Sequence, residues 1–318
     1  MTSPGSVTTE TMQPDLAETG AVEERLAPEA KPEPVGRATF RVWRGDRQGG
    51  KLVDYTTGIA PGMVVLDAIP QIQAEQANDL AVRWNCKAGK CGSCSAEVNG
   101  SPKLMCMTRL SELPLDKPVT VEPMRAFPPI KDLVTDVSWN FQAKQRIKPF
   151  KARVPDAPDG TWRMAQSDVD RVQEFRKCIE CFLCQDVCHV LRDHHLHEEF
   201  IGPRYLVHVA ALEMHPLDVE DRVEDLRRAH GIAYCNITKC CTNVCPEHIT
   251  ITDNAIIPLK ERVVDEFFDP LGKLVKIFSR KSRVASPRNR SHGLPTQTDH
   301  QRRRPRRAAE GGAIPGHQ

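Results

Sequence analysis

Cys178-Ile179-Glu180-Cys181-Phe182-Leu183-Cys184-Gln185-Asp186-Val187-Cys188 sets four thiols at C-x2-C-x2-C-x3-C spacing. Further along, Cys235, Cys241 and Cys245-Pro246 form a second group. Such a run is how one chain holds two multi-iron clusters side by side, with its fourth thiol serving the other cluster. Crossing the two groups assigns Cys178, Cys181, Cys184 and Cys245 to one complete set, expected to hold [4Fe-4S]. Cys188, Cys235 and Cys241 remain for the other. In a complete run the middle ligand of the last group falls at residue 238, which is Thr238. A hydroxyl is a poor substitute for thiolate on iron, so one corner should be vacant and the cluster [3Fe-4S].

Upstream lies a third group, Cys86-x4-Cys91-x2-Cys94, followed by Cys106. This is the opening of plant-type [2Fe-2S] ferredoxins, whose fourth ligand comes from later in the chain. Gly89 and Gly92 allow the loop to turn inward with N–H groups facing sulfur. The Asn99-Gly100 turn brings Cys106 back to that loop. The expected content is about nine irons in three cofactors, a [2Fe-2S], a [4Fe-4S] and a [3Fe-4S] cluster. Of the twelve cysteines, Cys240 is left over. It reads as a small buried thiol, with ligation by a slip of register as the other reading. Zinc sites are closed sets of four, usually two C-x2-C pairs, and explain neither C-x4-C-x2-C nor two interlocked groups with one ligand missing. Met1-Thr2-Ser3-Pro4-Gly5 has no basic or apolar leader region, so an oxidising compartment and disulfides are not expected.

Composition frames these motifs. With 318 residues, 40% of them hydrophobic, the chain suits about two ordinary globular domains. No apolar stretch approaches the ~18 residues of a spanning helix. The net charge of +2 is unevenly spread. Residues 1–36 carry seven acids against Arg25 and Lys31, and residues 280–318 carry ten Lys or Arg against Asp299 and Glu310. Both ends lack apolar periodicity and read as disordered tails, 1–36 acidic and 280–318 basic. The run Arg302 to Arg307 reads as a solvated tail, with contact to nucleic acid or anionic lipid as the other reading. A zinc protein that binds nucleic acid through this run is disfavoured, because the part expected to fold is close to neutral.

Between the tails the first half reads as mixed β with one helix. Thr39 to Arg44 and Leu52 to Tyr55 are strand candidates, joined through Gly45 to Gly50. Met63 to Gln73 has helical spacing, with Pro70 expected to kink it or mark a late start. Ser95 to Val98 and Lys103 to Cys106 flank the Asn-Gly turn, and Val119 to Glu122 closes the set. Pro123, Pro128 and Pro129 mark a linker, which places the boundary near 135. Helices are expected over Asp168–Ile179, Tyr205–Met214 and Glu220–His230, and in a segment that Asp253 can cap, with Ile256, Ile257, Val263, Val264 and Phe267 on its apolar face. Leu271 to Phe278, with Lys273, Lys276 and Arg280, suits a short basic amphipathic helix lying on lipid or packed on protein. His189, His194, His195 and His197 read as a solvated loop, with proton relay or metal binding as the other reading.

The three cysteine groups, in this order and spacing, resemble the iron–sulfur subunit of the quinone-linked succinate dehydrogenase and fumarate reductase family. Trp84-Asn85-Cys86-Lys87-Ala88-Gly89-Lys90-Cys91-Gly92-Ser93-Cys94 and Phe182-Leu183 are similar to its actinobacterial, fumarate-reductase-like branch. The resemblance covers about 37–279. It implies an α+β chain, with a β-grasp [2Fe-2S] ferredoxin-type domain over 37–135 and an all-α [4Fe-4S]/[3Fe-4S] domain over 136–279. It also implies an FAD-containing flavoprotein partner, a membrane anchor subunit with quinone, and a peripheral place on the cytoplasmic side of the cell membrane. Substrate chemistry would reside on the flavoprotein, and no catalytic residue or nucleic-acid partner is expected on this chain. Where relatives carry Pro, a quinone-pocket Trp and His, this sequence has His189, Asp193 and Asn236, a pattern compatible with menaquinone. The related reading is an iron–sulfur subunit of glycolate-oxidase or heterodisulfide-reductase type. The [2Fe-2S] motif ahead of the crossed pair, with no further cysteine repeats, favours the first.

Overall fold

The computed structural model describes residues 35–268. Both tails and Leu271 to Phe278 lie outside the described residues, although Gly36, placed in the acidic tail by the sequence reading, opens the first strand. Strand β1 (Gly36–Asp46) buries Ala38, Phe40 and Val42 on one face, the alternation a one-sided core demands. It pairs antiparallel with β2 (Gly49–Ile59) across a tight turn at Arg47-Gln48. Helix α1 (Val65–Glu75) turns Val65, Leu66, Ala68, Ile69 and Ile72 inward. The Asp67 carboxylate caps it by accepting the Val64 N–H at 3.0 Å. Pro70 lies inside this helix and does not delay its start.

Strands β3 (Ser95–Val98) and β4 (Ser101–Leu104) form the expected Asn99-Gly100 hairpin. β5 (Val119–Glu122) lies between β3 and β1, parallel to β1. The Pro-rich linker is not wholly irregular, because β6 (Pro129–Lys131) and β7 (Val134–Thr135) extend the sheet to seven strands. Pro129 is tolerated because it opens its strand at the margin of the ladder. The mixed sheet with helices makes the fold α+β.

Helices dominate the remainder: α2 (Ser138–Gln145), α3 (Gln166–Gln173), the single turns α4 (Leu183–Asp186) and α5 (His189–Arg192), α6 (Gly202–Glu213), α7 (Val223–Arg228), the single turn α8 (Cys240–Asn243) and α9 (Ile257–Phe267). The expected helix over Asp168–Ile179 begins earlier and tightens to 3-10 geometry over Glu174–Lys177, which swings Cys178 off its end. The charged helix is shorter than Glu220–His230, because Arg222 is drawn inward instead. Its fully buried guanidinium meets Asp218 at 2.9 Å and donates to the carbonyls of Lys148 and Pro149 at 2.9 and 2.6 Å. Asp253 does not cap the last helix. It sits within a wide π turn over Ile251–Ile256 that runs into α9, and pairs with Lys239 at 2.8 Å.

Two apolar cores result. One joins the sheet to α1 and includes Phe40, Leu66, Ile69, Ile72 and Val121. The other gathers Phe175, Phe200, Tyr205, Leu206, Ile256 and Leu259 among the helices. They interlock across position 135: Met124, Ala126 and Phe127 pack into the helical core, while Cys181 and Leu183 pack into the sheet core. Among the described residues no helix is long and apolar enough to cross a membrane.

Candidate metal centres

The loop between α1 and β3 carries Cys86, Cys91 and Cys94, and Cys106 follows directly after β4. Its backbone turns around sulfur as expected: the N–H groups of Ala88 and Lys90 donate to Cys86 Sγ at 3.4 and 3.3 Å. Burial pushes the Cys94 thiol up to about 12, with Cys106 close by. Burial also opposes ionisation of Cys91, yet hydrogen bonds from Ser93 and Cys86 outweigh it and bring that thiol down to about 6. Trp84 and Met107 stand exposed beside this loop, with the Lys87 ammonium 4.7 Å from the Trp84 ring centre.

Cys178, Cys181, Cys184 and Cys245 line one cavity, walled by Ile179, Phe182, Val207, Ile249 and Ile251 and bordered by Arg204. Burial raises Cys181 to about 12 and holds Cys184 well above the ordinary thiol range; in each case Cys178 and Cys245 add to the rise. The Ile249 N–H donates to Cys245 Sγ at 3.4 Å. Among the described residues no three His, Cys, Asp or Glu side chains converge tightly enough for a single metal ion. A cluster of several irons spreads its ligands more widely than one ion does. All twelve thiols are free, and this donor set of buried sulfur with backbone N–H donors fits an iron–sulfur cluster.

The third set is brought together too. Cys188 rises to about 12 and Cys241 to about 11 through burial, and Cys235 and Cys240 lie within electrostatic reach of Cys241. Cys240, which the spacing left outside every set, stands beside Cys188 and Cys241, with its Sγ 3.2 Å from Thr238 Oγ1.

The two helical ligand loops share one backbone design. The residue two after the leading cysteine is left-handed in both, Glu180 (φ +55°) after Cys178 and Ile237 (φ +64°) after Cys235. A second left-handed residue, Phe182 (φ +63°) or Lys239 (φ +63°), then opens a single helical turn, α4 or α8. With the two runs aligned on Cys178 and Cys235, Thr238 falls at the place of Cys181. A β-branched residue at positive φ costs about 1–3 kcal/mol, so the bend at Ile237 is imposed by the loop rather than by its sequence.

The first and second ligand loops touch. Ser95 Oγ contacts both the Gly92 carbonyl, at 2.9 Å, and the Cys181 carbonyl, at 2.8 Å. Gly92 has φ +70°, and a Cβ there would lie 2.6 Å from Cys181 Cα. Lys90 reaches Glu247, two residues past Cys245, at 3.2 Å. The seam also buries two carboxylates. Glu97 on β3 meets Arg125 at 3.0 Å and Arg192 at 3.1 Å, and Asp186 on α4 accepts the Ala126 N–H at 3.0 Å. Burial, reinforced by Asp186, raises Glu97 to about 7; burial raises Asp186 to about 6. Neither carboxylate carried a sequence signal.

The histidine cluster divides. His194 and His195 are exposed, but His197 is half-buried, with its ring edge-on to Trp139 at 4.7 Å and Nε2 2.9 Å from the Ala126 carbonyl. It belongs to the packing of the seam, not to a solvated loop.

Comparison with known proteins agrees with this geometry. Residues 39–142 match the model of a 2Fe-2S iron-sulfur cluster binding domain, and residues 174–249 that of a 4Fe-4S dicluster domain. The chain is 35% identical over 200 residues to the fumarate reductase iron-sulfur subunit of Mycobacterium tuberculosis, covering 61% of this chain and 79% of that one. It is 26% identical over 243 residues to the succinate dehydrogenase iron-sulfur subunit of Paracoccus denitrificans, covering 74% and 92%. A chain in the solved structure of the Mycobacterium smegmatis Sdh1 complex in the apo form is 60% identical, with a TM-score of 0.71, covering 74% of this chain and 98% of that chain. With [2Fe-2S] and [4Fe-4S] domains in this order, the chain belongs to the family of iron–sulfur subunits of succinate dehydrogenase and fumarate reductase, the electron-transfer component of an oxidoreductase complex.

Proposed function

We propose that this chain carries single electrons between the FAD of a flavoprotein subunit and a quinone, menaquinone, at a membrane anchor. Cys86, Cys91, Cys94 and Cys106 would hold [2Fe-2S], Cys178, Cys181, Cys184 and Cys245 would hold [4Fe-4S], and Cys188, Cys235 and Cys241 would hold [3Fe-4S]. Each cluster, when bound, supplies a site that accepts and releases one electron.

The observation that carries this reading is the contact between ligand loops. Ser95 ties the Gly92 carbonyl to the Cys181 carbonyl, so that one hydroxyl spans the loops of the first two sets. The crossed sharing of Cys188 and Cys245 between the two helical loops does the same for the second and third. The chain's own work is to fix these loops against one another, to bury the inner thiols away from water, and to aim backbone N–H groups at sulfur. The vacant corner is supported by Thr238, which stands where the other loop has Cys181. The exposed Trp84 and Met107 beside the first set suit docking of the flavoprotein. A peripheral position on the cytoplasmic face of the membrane, with domains over 37–135 and 136–279, accompanies this reading.

The test is low-temperature EPR of the anaerobically purified complex at graded potentials. Three cluster signals are expected, including an oxidised three-iron signal, with succinate-dependent reduction of menaquinone. Cys86→Ser should change the [2Fe-2S] signal alone. Collapse of all three signals in that variant would contradict separate ligand sets.

A further inference from the structure

Arg204 is a cation where cations are rarely buried. It lies in the first turn of α6, is 6% exposed, and lines the cavity shared by Cys178, Cys181, Cys184 and Cys245. One guanidinium nitrogen, Nη2, meets Glu180 Oε1 at 2.5 Å, and the same oxygen also takes Lys144 at 2.8 Å. The backbone N–H of Arg204 donates to Gln185 Oε1 at 3.3 Å. Both anchors sit within the ligand run, so Arg204 is pinned to the loop that carries Cys178 and Cys184. The approach is tight: a Cβ at Gly202 would fall 2.0 Å from Gln185 Oε1.

A further donor of the same guanidinium has nothing to bind. Arg204 Nε is buried without a hydrogen-bond partner. So is the hydroxyl of the next residue, Tyr205, a fully buried side chain within electrostatic reach of Cys184 and Cys178. Leaving a buried donor unpaired is costly, most of all on a charged group, so two orphans near one set of thiols call for an acceptor. Cluster and thiolate sulfurs are such acceptors, and they carry negative charge that a buried guanidinium offsets.

We propose that Arg204, seconded by Tyr205, donates to the sulfur of the second cluster site and sets its reduction potential, favouring the reduced form. The inference rests on the assignment of that set to [4Fe-4S]. Reduction adds one negative charge to the site. A fixed cation and two donors held in a low-dielectric wall stabilise the more negative state more than the less negative one. Glu180 and Gln185 are positioning residues that hold Arg204 in place. Arg204 is itself a positioning and tuning residue, since it alters the electron's resting place without taking part in bond making.

The experiment is a potentiometric EPR titration of the purified complex with three variants. Arg204→Gln removes the charge and the Nε donor, Arg204→Lys keeps the charge but not the planar donor, and Tyr205→Phe removes the hydroxyl alone. The expected result for Arg204→Gln is at least a tenfold loss in the reduction equilibrium of the [4Fe-4S] signal, about 59 mV for one electron. The [2Fe-2S] and three-iron midpoints should stay in place. Arg204→Lys and Tyr205→Phe should shift the same midpoint in the same direction by less. Pulsed EPR of the reduced complex labelled with 15N-arginine should show a nitrogen coupling to that cluster which Arg204→Lys lacks. If Arg204→Gln does not assemble, the Lys variant and the 15N coupling decide. An unmoved midpoint in the assembled variants, or no 15N coupling, overturns the proposal while leaving the cluster assignment intact. Absence of a [4Fe-4S] signal in the unaltered complex would instead overturn the assignment itself.

Discussion

Three glycines with nearly the same backbone angle separate two causes of destabilisation. Gly89 (φ +67°), Gly92 (φ +70°) and Gly100 (φ +74°) all occupy the left-handed region. They differ in what an added methyl would meet. At Gly100 there is nothing within 4 Å. At Gly89 the nearest atom is Met107 Sδ at 2.9 Å, the flexible end of an exposed side chain. At Gly92 it is Cys181 Cα at 2.6 Å, followed by Cys181 Cβ at 2.8 Å, neither of which can move without shifting the Cys181 thiol. Left-handed backbone costs an alanine about 1–2 kcal/mol at all three positions. Overpacking against fixed structure adds about 1–3 kcal/mol at Gly92 alone. Gly100→Ala and Gly89→Ala should therefore cost about 1–2 kcal/mol, and Gly92→Ala about 2–5 kcal/mol. Iron–sulfur domains rarely unfold reversibly, so the assay is the rate at which visible cluster absorbance is lost at a fixed denaturant concentration. If the contact is lost in the rate-limiting step, each ~1.4 kcal/mol gives a tenfold faster loss. Gly92→Ala should then bleach roughly five- to a hundredfold faster than Gly100→Ala. Equal rates for the two would refute the close approach of the first and second ligand loops.

Two further outcomes follow from the same geometry. Glu97 has a folded-state pKa raised to about 7, above its ordinary value of 4.5, so the folded chain binds a proton that the unfolded chain releases. The stability this provides is fully present below pH 4.5 and is lost as the pH rises through about 7. Glu97→Gln should flatten that decline in denaturation at pH 5.5 and 7.5, and an unchanged slope would contradict it. Thr238→Cys should restore the absent ligand. The oxidised three-iron EPR signal is expected to disappear and iron content to rise by about one per chain; persistence of that signal would show that Thr238 does not occupy the vacant corner.

Spacing made the grouping of the cysteines legible, because thiols that must meet in a loop fall at short, fixed intervals along the chain. Alternation in Phe40 and Val42 and the Asn99-Gly100 turn likewise announced the first strand and hairpin. The sharing of the two cores was not legible, since Phe127 and Leu183 look equally at home in either. Nor was the bend of the ligand loops. Left-handed backbone usually shows as Gly or Asn, yet here it falls on Glu180, Phe182, Ile237 and Lys239, where the loop overrides residue preference. Glu97 and Asp186 carried no sequence signal, because burial of a carboxylate depends on partners distant in sequence, Arg125 and Arg192 for the one and the Ala126 N–H for the other. Arg204 was silent for the same reason. In a helix it reads as a solvated face, and only the folded arrangement turns it towards sulfur.

The central claim is that eleven of the twelve cysteines grip three iron clusters in series. It is tested most directly by metal and acid-labile sulfide analysis of the complex purified without oxygen. The account predicts about nine irons bound by this chain, with labile sulfide and no stoichiometric zinc. A colourless, iron-free chain, or one carrying zinc in place of iron, would contradict it.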